Sequence, residues 1–255
     1  MRRFFADSSD INDSAAIITG SDANHIRNVL RLKPGDNIRL FDGSGFEYDA
    51  VITALSPGTV ELSVSSKFYS STESPVQITI AQALLKEKKM DVLIRQVTEL
   101  GIKQWIPFIA ARSVPRPDKE RLNLRTERWK KIAKESLKQC RRNQIPDIAE
   151  TASFEDMLNI GKDSDVKIIF WENENIPFSL FPDKMDYQKI FAVLGPEGGF
   201  TRDEVDAAKE CGFVTGGLGP RILRAETAAV TACSLLQYIF GDMGKKRLDN
   251  EMNLD

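Results

Sequence analysis

Two turns of this chain hold the residues best suited to chemistry. The first is Gly195-Pro-Glu-Gly-Gly199, which follows the apolar run Phe191-Ala-Val-Leu194 and precedes Thr201 and Glu204. A short continuous apolar run reads as a strand buried on both faces. Thr201 with Glu204 three residues on reads as a capping box, so a helix starts there. Glycines between a strand and a helix let the backbone approach a ligand closely, and such ligands gather at the strand's carboxyl end. The second turn, Gly216-Gly-Leu-Gly-Pro-Arg-Ile-Leu-Arg-Ala-Glu-Thr-Ala228, again joins a strand end to a helix start. No Gly-Lys-Ser/Thr follows either turn and G-x-G-x-x-G is absent, so neither a P-loop nor the dinucleotide fingerprint is present. Each turn alone also reads as a tight connection with glycine for conformational reasons. Two at adjacent strand ends would form a backbone-lined pocket that suits the hydrogen-bonding edge of an adenine.

Composition removes several rival chemistries. His25 is the one histidine, and Cys140, Cys211 and Cys233 are isolated, with no C-x-x-C spacing. Metal centres and disulfide frameworks are therefore not expected. The N-terminal MRRFFADSSD lacks an apolar signal core, and no apolar run is long enough to span a bilayer. A cytoplasmic protein without a membrane partner is the expectation. The net charge of −2 hides an asymmetry: residues 112–142 hold 12 Lys or Arg and 4 Asp or Glu, leaving −10 for the rest. Such a segment is either a solvated helix face or a phosphate-contacting surface.

The elements that must carry these turns form two patterns. Strands are expected at Arg3–Ala6, Ala15–Thr19, Asn37–Asp42, Glu47–Leu55 and Thr59–Phe68, interrupted by a helix from Asp22 to Leu30 capped by Ser21 or Asp22. The polar stretch from Phe68 to Pro75 reads as a linker, and Lys245–Asp255 as a short tail. Beyond the linker, strands at Gln77–Ala83, Trp105–Ala110, Val166–Trp171, Ile190–Leu194 and Phe213–Leu218 alternate with helices at Lys88–Leu100, Leu122–Gln139, Arg202–Cys211 and Ala225–Phe240. That alternation implies an α/β unit with a mostly parallel sheet. The small residues of the last helix, among them Ala228, Ala229 and Ala232, suit close packing against another helix, including one from a second subunit.

GPEGGFTRDEVDAAKECGF followed by LGPRILRAETAA resembles the C-terminal signature of the RsmE family, SPOUT-superfamily methyltransferases that modify uridine at N3 in 16S ribosomal RNA. HIRNVLRLKPGDNIRLFDGSGFEYDAVI is similar to that family's N-terminal PUA-like barrel, VTELGIKQWIPFIAARSV to its middle segment, and RWKKIAKESLKQCRRNQIP to the segment after it. The resemblance implies a PUA-like RNA-binding β-barrel over residues 1–72 and a SPOUT methyltransferase domain over 73–255. It implies a deep trefoil knot between roughly residues 165 and 242, against the general rule that chains are unknotted. It further implies a homodimer and a cofactor, S-adenosyl-L-methionine, held by Leu194, Gly195, Gly198, Leu218, Gly219, Ile222, Leu223 and Ala228. The chain departs from the family pattern at Gln96, where a lysine is usual, and at Lys138-Gln-Cys-Arg-Arg142, where Glu-Gln-Ser-Gly-Arg is common.

Methyl transfer to N3 requires loss of the N3 proton, and a general base helps. Glu226, at the head of the last helix beside the second turn, is the best-placed carboxylate, or else a glutamate that complements the helix dipole. Arg221 and Arg224 would stabilise the N3 anion or orient a phosphate. N3 lies on the Watson–Crick edge, so the target base must be unpaired or flipped. RNA contacts are expected from Arg2, Arg3, Arg27 and Arg31 and from the basic helix around Arg112, Arg128, Arg141 and Arg142. Three alternatives stay open: an RNA-binding protein with a degenerate pocket, a small-molecule nucleotide enzyme on an ordinary doubly wound sheet, and the same fold acting on transfer RNA.

Overall fold

Apolar and polar residues alternate through Val60-Glu-Leu-Ser-Val64, and the burial of these side chains alternates with them. This period of two also marks the strand Ala15–Thr19, and the strands that begin the chain form one sheet. They are β1 (Arg2–Phe5), β2 (Ala15–Thr19), β3 (Asn37–Phe41), β4 (Phe46–Ser56) and β5 (Thr59–Tyr69). The computed structural model describes residues 1–69, 72–86, 88–173 and 187–244. The tail Lys245–Asp255 and Ser70 and Ser71 of the expected linker lie outside the described residues. The strands pair in the order β1-β3-β4-β5-β2, with β1 parallel to β3 and the other neighbours antiparallel. Two register shifts in β4 bend the sheet, and Ile18, Ile26, Ile38, Leu40, Ile52 and Val60 fill its buried side.

The helix between β2 and β3 differs from expectation. It starts at Gly20 as α1 (Gly20–Asn24), with Thr19 at the cap position making no side-chain capping bond, and widens into a π turn over His25–Val29. The wide turn keeps Ala23 and Ile26 in the core and leaves Arg27 exposed. Capping by Ser21 or Asp22 is therefore corrected: both residues lie inside the helix.

The chain divides into two compact units, and the first takes in Lys134–Ile145 besides Met1–Glu73. The reason is apolar and ionic. Leu137 is fully buried with Phe5 and Phe41, and Ile145 packs on them. Glu73 receives the Arg142 guanidinium at 2.6 Å and the backbone N–H groups of Asn143 and Gln144.

The second unit is built on a parallel sheet. Its elements are β6 (Gln77–Ala83), α2 (Lys89–Glu99), β7 (Gln104–Ile109), α3 (Lys119–Cys140), β8 (Asp147–Ile148), β9 (Ala152–Ser153), α4 (Phe154–Ile160), β10 (Val166–Phe170), β11 (Lys189–Leu194), α5 (Arg202–Glu210), β12 (Val214–Gly216) and α6 (Ala225–Ile239). Helix α3 belongs to this unit only as far as Ala133. The strand order is β12-β10-β11-β6-β7-β8, with β9 also pairing with β7. Adjacent residues of β6 feed opposite faces: Ile78 and Ile80 join Leu93, Trp129 and Leu236, whereas Ala81 and Ala83 join Phe108, Met157 and Val205. The same two-sided burial explains the unbroken apolar run Ile190–Leu194 of β11.

Two expectations need correction here. The basic helix starts at Lys119, while Arg112 lies in the turn after β7 and Arg141 and Arg142 follow the helix's last residue. The short elements β8, β9 and α4 were not anticipated. Their one sequence signal is Ser153, whose side chain caps α4 by accepting from the Asp156 N–H.

Candidate functional site

The site grows from the carboxyl ends of β10, β11 and β12. The chain turns through Gly195–Gly199 after β11 and enters α5 through the expected capping box: the Thr201 side chain accepts from Glu204 N–H, and Glu204 reaches back to the Thr201 backbone. After β12 the second turn leads into α6. Between the turns lies a cavity of about 540 Å³, within the ordinary range for small-molecule sites. Leu194, Gly195, Gly198, Leu218, Gly219, Ile222, Leu223 and Ala228 all line it, as do Arg221 and Arg224.

The first turn is braced from three directions. Gln82, wholly buried in β6, donates from Nε2 to the Gly195 and Ala83 carbonyls at 3.0 Å each. Arg112 donates from Nη1 to the Gly198 carbonyl at 3.0 Å and the Phe200 carbonyl at 3.3 Å. Glu204 also accepts the Ala111 N–H at 2.7 Å. A Cβ on Gly195 would sit 3.1 Å from the buried Phe200 ring, so any larger residue there requires the ring to give way by a few tenths of an ångström. The second turn is open. Ile222 is 87% exposed, and Gly219 holds φ +92° with nothing near its missing Cβ, a conformation that favours glycine.

Lys89, the first residue of α2, joins the first turn to the start of α6. Its ammonium lies 3.2 Å from Glu197 and 3.3 Å from Glu226. The hydrogen bond to Glu197 and the interactions with Glu226 raise the Lys89 pKa above 10.5, against a smaller opposing effect of burial. Burial alone would push Glu197 up. The backbone N–H groups of Glu197 itself and of Lys86, with the Lys89 ammonium, outweigh that and bring it below 4.5.

Sequence reasoning missed Lys89, Glu197, Trp171 and Glu172, all of which line the cavity. Trp171 and Glu172 directly follow β10, so the strand-end rule that found the turns would have found them too. Lys89 carried no motif, because only the fold brings α2 to the turns.

The arginines expected to meet RNA divide. Arg2, Arg27, Arg31, Arg112 and Arg141 are exposed, and Arg128 pairs with Asp91 at 2.7 Å while its side chain stays 59% exposed. Arg3 and Arg142 are corrected. Arg3 points inward, 2.6 Å from Glu47 and over the Phe41 ring. Arg142 is buried on the half-buried Glu73, and releasing either arginine to a phosphate would leave a poorly solvated carboxylate unpaired. Arg112 is exposed, but its Nη1 is engaged by the first turn. Lys138, where the family pattern has an acid, finds local partners in Asp22 at 3.0 Å and Glu135 at 3.0 Å.

Known proteins resemble this chain along most of its length. Residues 72–237 match a family described as an RNA methyltransferase domain, and residues 18–65 one described as an RNA methyltransferase PUA domain. The ribosomal RNA small subunit methyltransferase E of Bacillus subtilis is 37% identical over 227 residues, covering 87% of this chain and 89% of that protein. The protein of the same name from Buchnera aphidicola is 31% identical, covering 94% of each. Among solved structures, the ribosomal RNA small subunit methyltransferase E of Neisseria gonorrhoeae bound to S-adenosyl methionine superposes with a TM-score of 0.84 at 31% identity, covering 95% of this chain and 99% of that one. With matching domains along most of its length and such relatives, the chain belongs to the ribosomal RNA small subunit methyltransferase E family of RNA methyltransferases.

Proposed function

We propose that this protein transfers the methyl group of S-adenosylmethionine to N3 of a uridine in the 16S RNA of the small ribosomal subunit. The observation that carries the reading is the cavity between the two turns, lined by every position assigned to the cofactor from the sequence. The cavity suits that group chemically. Backbone of both glycine turns lines it, and the indole Nε1 of Trp171, one of its lining residues, is buried without a hydrogen-bond partner among the described residues. Bound there, the cofactor would supply an activated sulfonium methyl group.

The chain's own residues then have separable tasks. The braced first turn and the open second turn hold the donor, and alignment supplies much of the rate. Glu226, which pairs with the cavity-lining Lys89 rather than lining the cavity itself, removes the N3 proton, and Arg224 and Arg221, both exposed along the cavity, stabilise the resulting anion. Arg2, Arg27, Arg31, Arg128 and Arg141 contact RNA phosphates. The finer fold reading is a SPOUT domain with a trefoil knot. It is supported by β12 lying beyond β10 while α6 returns over β11 and β6. A homodimer is supported by the exposed Tyr238 on α6 and Val92 on the neighbouring α2, and light scattering of the purified protein tests it. A cytoplasmic site of action follows from the substrate. Among the described residues no helix is long and apolar enough to cross a membrane.

The test is methyl transfer from labelled donor to small subunits lacking the modification, followed by nucleoside analysis. Label in N3-methyluridine is expected, and label in another nucleoside, or none, overturns the assignment. Glu226→Gln and Arg224→Ala should lose turnover far more than donor affinity. Unchanged turnover in both removes them from the mechanism.

A further inference from the structure

Helix α2 begins against its own electrostatics. Lys88 stands at its cap position without a side-chain capping bond, and Lys89 is its first residue, where the positive end of the helix dipole disfavours cations. The counter-charges come from two other elements: Glu197 of the first turn and Glu226 on α6, each within 3.3 Å of the Lys89 ammonium. Lys89 and Glu197 line the cavity, and Oε2 of Glu226 is buried. The three side chains are only 24–33% exposed, so their charges are less screened than those of a surface pair. With both carboxylates ionised, the cluster is net negative beside a cavity whose other charged lining residues are Glu172, Arg221 and Arg224, the two arginines standing exposed on the second turn.

Resting on the methyl-donor reading above, we infer that Lys89, Glu197 and Glu226 set the preference of the cavity for the cationic donor over its neutral product. Donor and product share the adenosine and the amino-acid end. They differ by the methyl group and by the positive charge on sulfur. Hydrogen bonds to the shared parts cannot tell the two apart, whereas a nearby net charge can. Two carboxylates alone would favour the donor strongly. The Lys89 ammonium offsets one of them, so it limits that preference and keeps the two acids from repelling across the turns.

The inference predicts opposite signs for two substitutions. Donor and product affinities are measured by calorimetry on the full chain at low salt and neutral pH. Lys89→Gln should raise the ratio of product Kd to donor Kd by about three- to tenfold, and Glu197→Gln should lower it by a similar factor. Lys89→Arg should keep the ratio near that of the unchanged chain. If Lys89→Gln fails to fold, the Glu197→Gln result decides alone, because glutamine retains an acceptor for the Lys86 N–H. Both ligands bound with an unchanged ratio overturns the inference while leaving the donor reading intact. If the unchanged chain binds neither ligand, the donor reading falls and the inference with it.

Discussion

The two turns that form the cavity are built in opposite ways. Gly195–Gly199 is held by Gln82, Arg112 and the capping box of α5, and a buried phenylalanine closes the space behind it. The turn from Leu218 to Arg224 has Gly219 in open space, Ile222 in solvent, and a helix behind it whose cap residue, Arg224, makes no side-chain capping bond. A pocket made of one fixed wall and one exposed wall can hold its ligand in a set register while the exposed wall adjusts to what arrives. Restraint on the first side and its absence on the second are therefore both part of the site.

The comparison can be broken most sharply at the glycines. Gly195→Val should cost about 1–3 kcal/mol of stability through over-packing against Phe200 and abolish donor binding. Gly219→Ala should cost about 1 kcal/mol from backbone strain alone. Denaturant unfolding and calorimetry read both, and equal costs would mean that the walls do not differ. Next in size, Arg112→Ala should weaken donor binding about tenfold, the worth of a charged hydrogen bond. It should leave the salt slope of RNA binding unchanged. A reduced slope would make Arg112 a phosphate contact instead of a brace.

The caps sharpen the contrast further. Thr201→Ala should destabilise by about 1 kcal/mol, whereas Arg224→Ala should change stability by only a few tenths while still losing turnover. The smallest effect concerns pH. The lowered pKa of Glu197 gives stability that is present above 4.5 and is lost as pH falls through its folded value. The raised pKa of Lys89 gives stability present below 10.5 and lost as pH rises past its folded value. The Lys89–Glu197 contribution to thermal stability should therefore be flat from about pH 6 to 9, as a comparison of Glu197→Gln with the parent chain across pH would show.

The sequence was most legible where local rules act alone. A strand buried on both faces, such as β11, announces itself as an apolar run, and the Thr201–Glu204 box marks α5 within one residue. Both turns could be assigned to one cavity because glycine spacing is a local signal. The arginines were legible only in part. Arg3 and Arg142 carry the same charge as Arg27 and Arg141, and nothing local says which will meet a carboxylate. Glu47 and Glu73, distant in sequence, decide that. Lys89 was invisible for the same reason, since its partners lie more than a hundred residues away along the chain. The π turn at His25–Val29 escaped because a period of 3.6 cannot anticipate one added residue.

The return of residues 134–145 to the first unit sets the timetable of its synthesis. When Glu73 leaves the ribosome, the strands of that unit have all been made, but Leu137 and Arg142, which complete its core and neutralise Glu73, are still to come. At about 5–20 residues per second that interval lasts several seconds. During it, nascent β1 and β3 carry Phe5 and Phe41 without their covering leucine, a window in which a chaperone would find a waiting apolar surface.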